Sequence, residues 1–317
     1  MELFDVYPRF DITPVSAEGC WITDAKGQRY LDLYGGHAVI SIGHSHPYFV
    51  QSLTGQLQKI AYYSNSVQNP LQEELATALT GAAGLEAYHL FLCNSGAEAN
   101  ENALKLASFH TGKSGIVAFK NSFHGRTSAA VAATDNPAIV SPLNAVHHVT
   151  FIPLNDLEAL ERALIKKDIG AVILEPIQGV GGLEMAEASF MEQVAHLCQK
   201  HGAVFIADEV QSGFGRSGAF FAFQHSNATP GIITMAKGMG NGFPVGGILI
   251  HPEIEARHGL LGTTFGGNHM ACVAARSVLH VIQEEELISK AALLEGIFRV
   301  KAAGLPGLKQ VKGKGLM

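Results

Sequence analysis

The stretch AVFIADEVQSGFGR, Ala203 to Arg216, runs five apolar residues straight into an acid. An unbroken apolar run of this length is the pattern of a strand covered on both faces, as in a parallel sheet. Asp208 then stands where the strand ends, behind a buried stem. A carboxylate there needs a partner or a shifted pKa. It is read either as a salt bridge to a local arginine or as a fixed negative charge facing a bound group. Gln211 lies one turn on and can donate to the same ligand. Outward from this run the pattern repeats. HLFLCN (89–94), GIVAFK (115–120), VTFIPL (149–154), AVILEPI (171–177), GIITMA (231–236) and VGGILI (245–250) are further short apolar runs. Helical patterns fall between them at SGAEANENALKLASFH, LEALERALIK and FMEQVAHLCQKHG, the last closed by glycine. Strands alternating with helices predict an α/β fold with a mainly parallel sheet, and ligands in such sheets bind beyond the carboxyl ends of the strands.

Each strand end carries a polar group. CNSGAEAN puts Ser95, Gly96 and Ala97 at a helix start, where free N–H groups and the helix dipole favour an anion; it reads equally as an ordinary capped helix. NSFHGRT offers Phe123 and His124 as faces for a flat ring and Arg126 as a bidentate carboxylate grip, or else a core phenylalanine and a solvated arginine. LEPIQGVGG ends a strand on Glu175, a site residue or a brace for its own loop. IITMAKGMGNGFPVGG, Ile232 to Gly247, delivers Lys237 from an apolar strand into a glycine-rich loop. GTTFGGN sets Thr263 and Thr264 before another helix start. If Asp208 faces a protonated ring nitrogen and the Ser95 turn holds a phosphate, the ligand carrying both is pyridoxal phosphate, whose aldehyde requires an amine such as Lys237. The glycines after Lys237 are expected to keep that face open.

The rest of the chain bounds this reading. Its 317 residues are 47% hydrophobic and 16% charged, with net charge −6, so no clustered basic surface for nucleic acid is expected. Cys20, Cys93, Cys198 and Cys272 form no CxxC pair and read as reduced thiols. No stretch approaches the roughly 20 apolar residues of a membrane helix, and MELFDVYPRF lacks a signal-peptide pattern; the expectation is a cytoplasmic protein. Gly19–Thr23 and Arg29–Leu33 flank a turn and predict a hairpin. GGHAVISIGHSHP follows as a loop, and helices are predicted from Tyr48 to about Ile60, over Leu71 to about Thr80, and from Gly267 to about Gln283 and on to about Ala302. His44 and His46 lack further ligands and predict no metal site.

The order of these features, phosphate turn, Phe-His-Gly-Arg, Glu-Pro, Asp-x-x-Gln, lysine and Thr-Phe-Gly-Gly-Asn, resembles the class III, fold-type I pyridoxal-phosphate aminotransferases, and among them those acting on N-acylornithines. The resemblance implies a large cofactor-binding domain over 61–266, an N-terminal segment of a smaller α+β domain over 1–60, and an incomplete part of that domain over 267–317. It implies that Lys237 forms the Schiff base and shuttles the proton, Asp208 pairs with the pyridine nitrogen, Gln211 touches the phenolic oxygen and Phe123 stacks on the ring. Ser95, Gly96 and Ala97 would hold the phosphate, joined by Thr264 of a neighbouring subunit, which makes the enzyme a homodimer. Arg126 would bind the substrate carboxylate. The implied reaction moves the δ-amine of an acetyl- or succinylornithine to 2-oxoglutarate, in arginine biosynthesis.

Three departures accompany the resemblance. Val180 stands where the family usually has a glutamate after Gln-Gly, which puts the gating of the two substrates in question. His37 occupies the place of a substrate-facing tyrosine or aliphatic residue. The C-terminal arginine expected for 2-oxoglutarate has no counterpart before Met317, so a truncated small domain is expected. Val180 and His37 together favour a succinyl substrate. The competing readings are an aminotransferase of another ω-amine, a decarboxylase or aminomutase on the same cofactor, and a binding protein that performs no turnover.

Overall fold

The computed structural model describes residues 3–166 and 168–317. The chain opens on three antiparallel strands, β1 (Pro14–Glu18), β2 (Trp21–Asp24) and β3 (Arg29–Leu31). The hairpin β2–β3 is the one its turn predicts; β1, which carries a proline and a single half-buried residue, adds an outer strand that periodicity does not reveal. The loop after it contains a four-residue turn, α1 (Gly35–Ala38), then helices α2 (Pro47–Leu57) and α3 (Pro70–Ala83). Both long helices begin with proline at the first position, where its missing N–H costs nothing, and Asn69 caps α3 by accepting the Leu71 N–H.

The second sheet has seven strands in the order β4-β10-β9-β8-β7-β5-β6. Its members are β4 (His89–Cys93), β5 (Gly115–Phe119), β6 (Val149–Ile152), β7 (Ile169–Leu174), β8 (Val204–Asp208), β9 (Ile232–Met235) and β10 (Gly246–Ile250). Only β10 runs against its neighbours; β5 through β9 pair in parallel. The mainly parallel sheet is thus as the apolar runs predict. Between the strands lie α4 (Gly96–Thr111), α5 (Ser128–Ala132), α6 (Leu157–Leu164) and α7 (Ala188–His201), and after them α8 (His269–Glu284) and α9 (Leu287–Ala302).

Two apolar layers cover the sheet. On one face the alanines of α4, Ala99, Ala103 and Ala107, let the helix lie close against Ile116, Ile206, Ile232 and Ile248. On the other, Leu75, Leu79, Leu160, Leu164 and Val194 meet Val172, Phe205 and Ile233. Each fully buried leucine contributes roughly 1.5–3 kcal/mol. Helix α8 packs against both α2 and α3. No described helix is long and apolar enough to cross a membrane. Cys93, Cys198 and Cys272 are buried thiols and Cys20 is exposed; burial raises the Cys93 and Cys272 thiols to about 12.

Candidate active site

The carboxyl ends of β4, β5, β7, β8 and β9 converge on a cavity of about 350 Å³ lined by Ser95, Gly96, Ala97, Phe123, His124, Arg126, Glu175, Asp208, Gln211 and Lys237. A larger hollow of about 1100 Å³ lies between α2, α3 and α8, away from this chemistry. Residues 95 to 237 meet here because these five strands run the same way and end at the same rim. Val39, Val180, Val210 and the segment Phe243–Val245 complete an otherwise apolar wall.

Asp208 is 4% exposed. Three donors converge on it: Val210 N–H on Oδ1 (3.0 Å), and Asn100 Nδ2 and His124 Nδ1 on Oδ2 (2.7 Å each). Among the described residues no arginine pairs with it, and its close partner is His124. His124 departs from expectation: its ring is buried edge-on against Asp208 and is not a stacking face. Its N–H is held by Thr134 Oγ1 (2.9 Å) and its carbonyl by Asn100 Nδ2 (2.7 Å), which fixes the ring's direction. Its Nε2, like Asn100 Oδ1, has no partner among the described residues. The sequence pattern by itself does not mark Asn100 as a site residue. Its signal is a single amide on the alanine face of α4, one turn past Gly96. Phe123, half-buried on the cavity wall, is free to take the stacking role alone.

Helix α4 begins as its motif predicts, with Ser95 as the cap. The Ser95 hydroxyl accepts the Glu98 N–H (3.1 Å), and Glu98 reaches back to the Asn94 N–H (2.6 Å). These two bonds leave the N–H groups of Gly96 and Ala97, which have no helical acceptor, at the cavity end of the helix. A Cβ on Gly96 would lie 2.6 Å from Val210 Cγ1, so glycine here lets α4 meet the turn after Asp208. Gln211 lies on that turn.

Lys237 sits at the end of β9 with φ 44°, a left-handed conformation for a side-chain-bearing residue. Burial lowers its pKa, the charges of Asp208 and Glu175 pull it partly back, and Arg216 lowers it further. The glycines after it do more than leave space. A Cβ on Gly240 would fall 2.1 Å from the Phe243 carbonyl oxygen, so this glycine closes the turn on itself.

Glu175 lines the cavity and braces the loops beside it. It is 6% exposed, and its two oxygens accept the N–H groups of Phe123 (2.9 Å) and Gly179 (3.1 Å). Burial, eased by the His124 charge, raises its pKa to about 7. It thereby ties two cavity loops to β7. Arg126 stands exposed at the rim, and Val180 is 67% exposed there.

Two predicted residues lie outside the cavity. His37 is exposed and its ring packs on Tyr34, at 4.8 Å between centroids, because residues 35–38 all turn left-handed and swing it outward. Thr264 is exposed, while its neighbour Thr263 caps the loop by accepting the Gly266 N–H (3.0 Å). His44 pairs with Asp32 (2.7 Å) and His46 with Glu285 (2.9 Å), so both histidines brace their loop.

Pyridoxal phosphate needs an anion for its ring nitrogen, N–H donors for its phosphate and an amine for its aldehyde. The buried, triply donated Asp208, the free start of α4 and the pKa-lowered Lys237 meet that donor set. A doubly covered, mainly parallel sheet with this constellation at its strand ends is the arrangement of a fold-type I enzyme. The profile of the aminotransferase class-III family matches residues 6–317, and the chain belongs to that family. It is 42% identical to the acetylornithine aminotransferase of Halalkalibacterium halodurans over 99% of this chain and 83% of that protein. It is 40% identical, at the same coverage, to that of Bacillus subtilis. The acetylornithine aminotransferase structure from Elizabethkingia anophelis superposes with TM-score 0.85 at 34% identity, over 98% of this chain and 79% of that one. The ornithine aminotransferase from Toxoplasma gondii gives 0.91 at 26%, over 98% and 78%.

Proposed function

We propose that this enzyme transfers the δ-amine of N-acetylornithine to 2-oxoglutarate, with pyridoxal phosphate as cofactor, in arginine biosynthesis. The observation that carries the reading is the cavity that joins Lys237, Asp208 and the open start of α4. The named relatives support the acetyl substrate, and the succinyl preference loses one of its two supports with His37 outside the cavity.

Gly96 and Ala97 would hold the phosphate with their N–H groups and the dipole of α4. Phe123 would cover one face of the ring, and Gln211 would donate to its phenolic oxygen. When bound, the cofactor would supply an electron sink for the bond-breaking at the substrate carbon. Asp208 would keep the ring nitrogen protonated, and Asn100 and His124 hold Asp208 in place to do so. Lys237, with its ammonium form disfavoured by burial, would present a free amine to the cofactor's aldehyde and would hold and move the proton of the substrate carbon. Arg126 takes the α-carboxylate of acetylornithine, leaving the δ-amine at the reacting end. Val180 lends the rim an apolar surface and no charge. Thr264 and the exposed Tyr62–Phe265 pair belong to a homodimer contact, where Thr264 reaches the partner's phosphate.

The test is the visible band of the purified, cofactor-loaded protein. N-acetylornithine is expected to bleach it faster than N-succinylornithine or ornithine, with 2-oxoglutarate restoring it. Lys237→Ala should bind cofactor and keep the fold yet lose turnover by about 10³-fold or more. Turnover retained in that variant ends the mechanism, and a clear preference for ornithine ends the substrate assignment. Sedimentation of the same sample reads the dimer.

A further inference from the structure

The segment from Ala38 to Gly43 belongs to the N-terminal part of the chain, yet it is tied to the Lys237 turn residue by residue. Asn241 Oδ1 accepts the N–H groups of Ser41 (2.8 Å) and Ile42 (3.1 Å), and its Nδ2 donates to the Gly43 carbonyl (2.9 Å). Ser41 Oγ donates to the Gly238 carbonyl (2.7 Å). Arg216 Nη2 donates to the carbonyls of Ala38 (2.9 Å) and Ile40 (3.4 Å), on either side of Val39. Asn241 is 6% exposed and itself left-handed, with φ 46°. On the other side, Asp32 holds the entry to the segment by accepting the N–H groups of Tyr34 and Gly35.

Between these two anchors the backbone makes a left-handed turn four residues long, with φ of 56°, 58°, 64° and 59° at Gly35, Gly36, His37 and Ala38. Two of the four carry side chains, for which this region is strained. Strain of this kind persists where the surroundings over-determine it. Here the surroundings are the Asn241 and Arg216 clamps, and what the strained turn delivers is Val39, which lines the same cavity as Lys237, Val180, Phe243 and Val245.

Resting on the proposed acylornithine reaction, we infer that Val39 is a specificity-determining residue for the acyl end of the substrate, and that Asn241 and Arg216 are positioning residues that hold it there. Asn241 leaves the Lys237 turn at its far end, so one amide sets the substrate wall and the lysine turn in a common frame. A side chain that reads one apolar group changes selectivity by about 10-fold to 200-fold.

The experiment uses the cofactor-loaded enzyme with N-acetylornithine and ornithine, and follows amide hydrogen exchange at Ser41 and Ile42. Asn241→Ala is expected to speed exchange at both amides tenfold or more and to raise the N-acetylornithine KM more than it lowers kcat, with cofactor affinity kept. Asn241→Asp retains both accepting contacts and should recover most of the protection. Val39→Ala and Val39→Phe touch none of the clamps and should each shift the ratio of kcat/KM for N-acetylornithine over ornithine by about tenfold. Unchanged exchange in Asn241→Ala overturns the clamp, and an unchanged ratio in both Val39 variants overturns the specificity role. If Asn241→Ala does not fold, the Val39 pair decides the specificity role and Arg216→Lys the clamp, through the same exchange readout. A parent enzyme inert toward both amines refutes the functional reading and the specificity role with it, while exchange still decides the clamp.

Discussion

Helices α4 and α9 are both sixteen residues long and have opposite fates. Helix α4 is capped at both ends, by Ser95 and by the left-handed Gly112, and buries Ala99, Asn100, Ala103, Leu104, Leu106 and Ala107. Helix α9 is the richer in large apolar side chains, yet it buries only Ala291 and Ala302 and starts from Glu286 with no capping hydrogen bond. Leu293, Leu294, Ile297, Phe298 and Val300 stand exposed. Hydrophobicity therefore does not rank the two. Helix α4 is held because its small residues match a flat sheet and its first turn faces a site; α9 meets no such surface among the described residues.

The sharpest way to break that contrast is a pair of identical substitutions. Ala103→Glu puts a charge against the isoleucines of the sheet and should cost about 4 kcal/mol or more. Leu293→Glu, 64% exposed in the parent, should stay within about 0.5 kcal/mol. Urea midpoints of the two variants decide it, and equal losses would show that α9 is as buried as α4.

Acids sharpen the comparison. Glu209, directly after Asp208, is fully buried, with Ser212 Oγ (2.6 Å) and the Phe223 N–H (2.7 Å) as donors. Burial raises its pKa to about 7 from 4.5. The folded state then binds the proton more tightly, so this group's stabilisation is complete below pH 4.5 and lost as pH rises through about 7, by about 3 kcal/mol. On α9, slight burial of Glu295 is outweighed by hydrogen bonds from Gly315 N–H and Arg299 and by nearby Lys314, and its pKa falls. Its contribution has the opposite sign, present above 4.5 and lost in acid. Glu209→Gln should flatten the fall in stability between pH 5 and pH 8.5, while Glu295→Gln should leave it unchanged. Denaturant unfolding at the two pH values separates them.

The smallest expected effect lies at the first residue of α4. Gly96→Ala forces a methyl onto the stiff Val210 side chain and should cost about 1–3 kcal/mol. Gly296→Ala on α9, where a Cβ meets nothing within 4 Å, should stabilise by about 0.5–1 kcal/mol through helix propensity. Thermal midpoints that move together would remove the distinction drawn between the two helices.

The seven strands of the large sheet, their order of chemical groups and the caps of α4 and α7 are readable in the sequence, because each depends on a run or a motif a few residues long; β1 is not. Lys237, Asp208, Gln211 and the Ser95 turn stand at strand ends for that reason. What the tertiary structure alone decided depends on partners distant in the chain. Glu175 became a brace through Phe123, 52 positions away, and His124 a support for Asp208 across 84. His37 left the cavity and Val39 entered it through a turn anchored by Asn241, 200 positions from Ser41. No local pattern encodes such pairs. A side chain's type sets which bonds it can make, and packing sets which of them it finds.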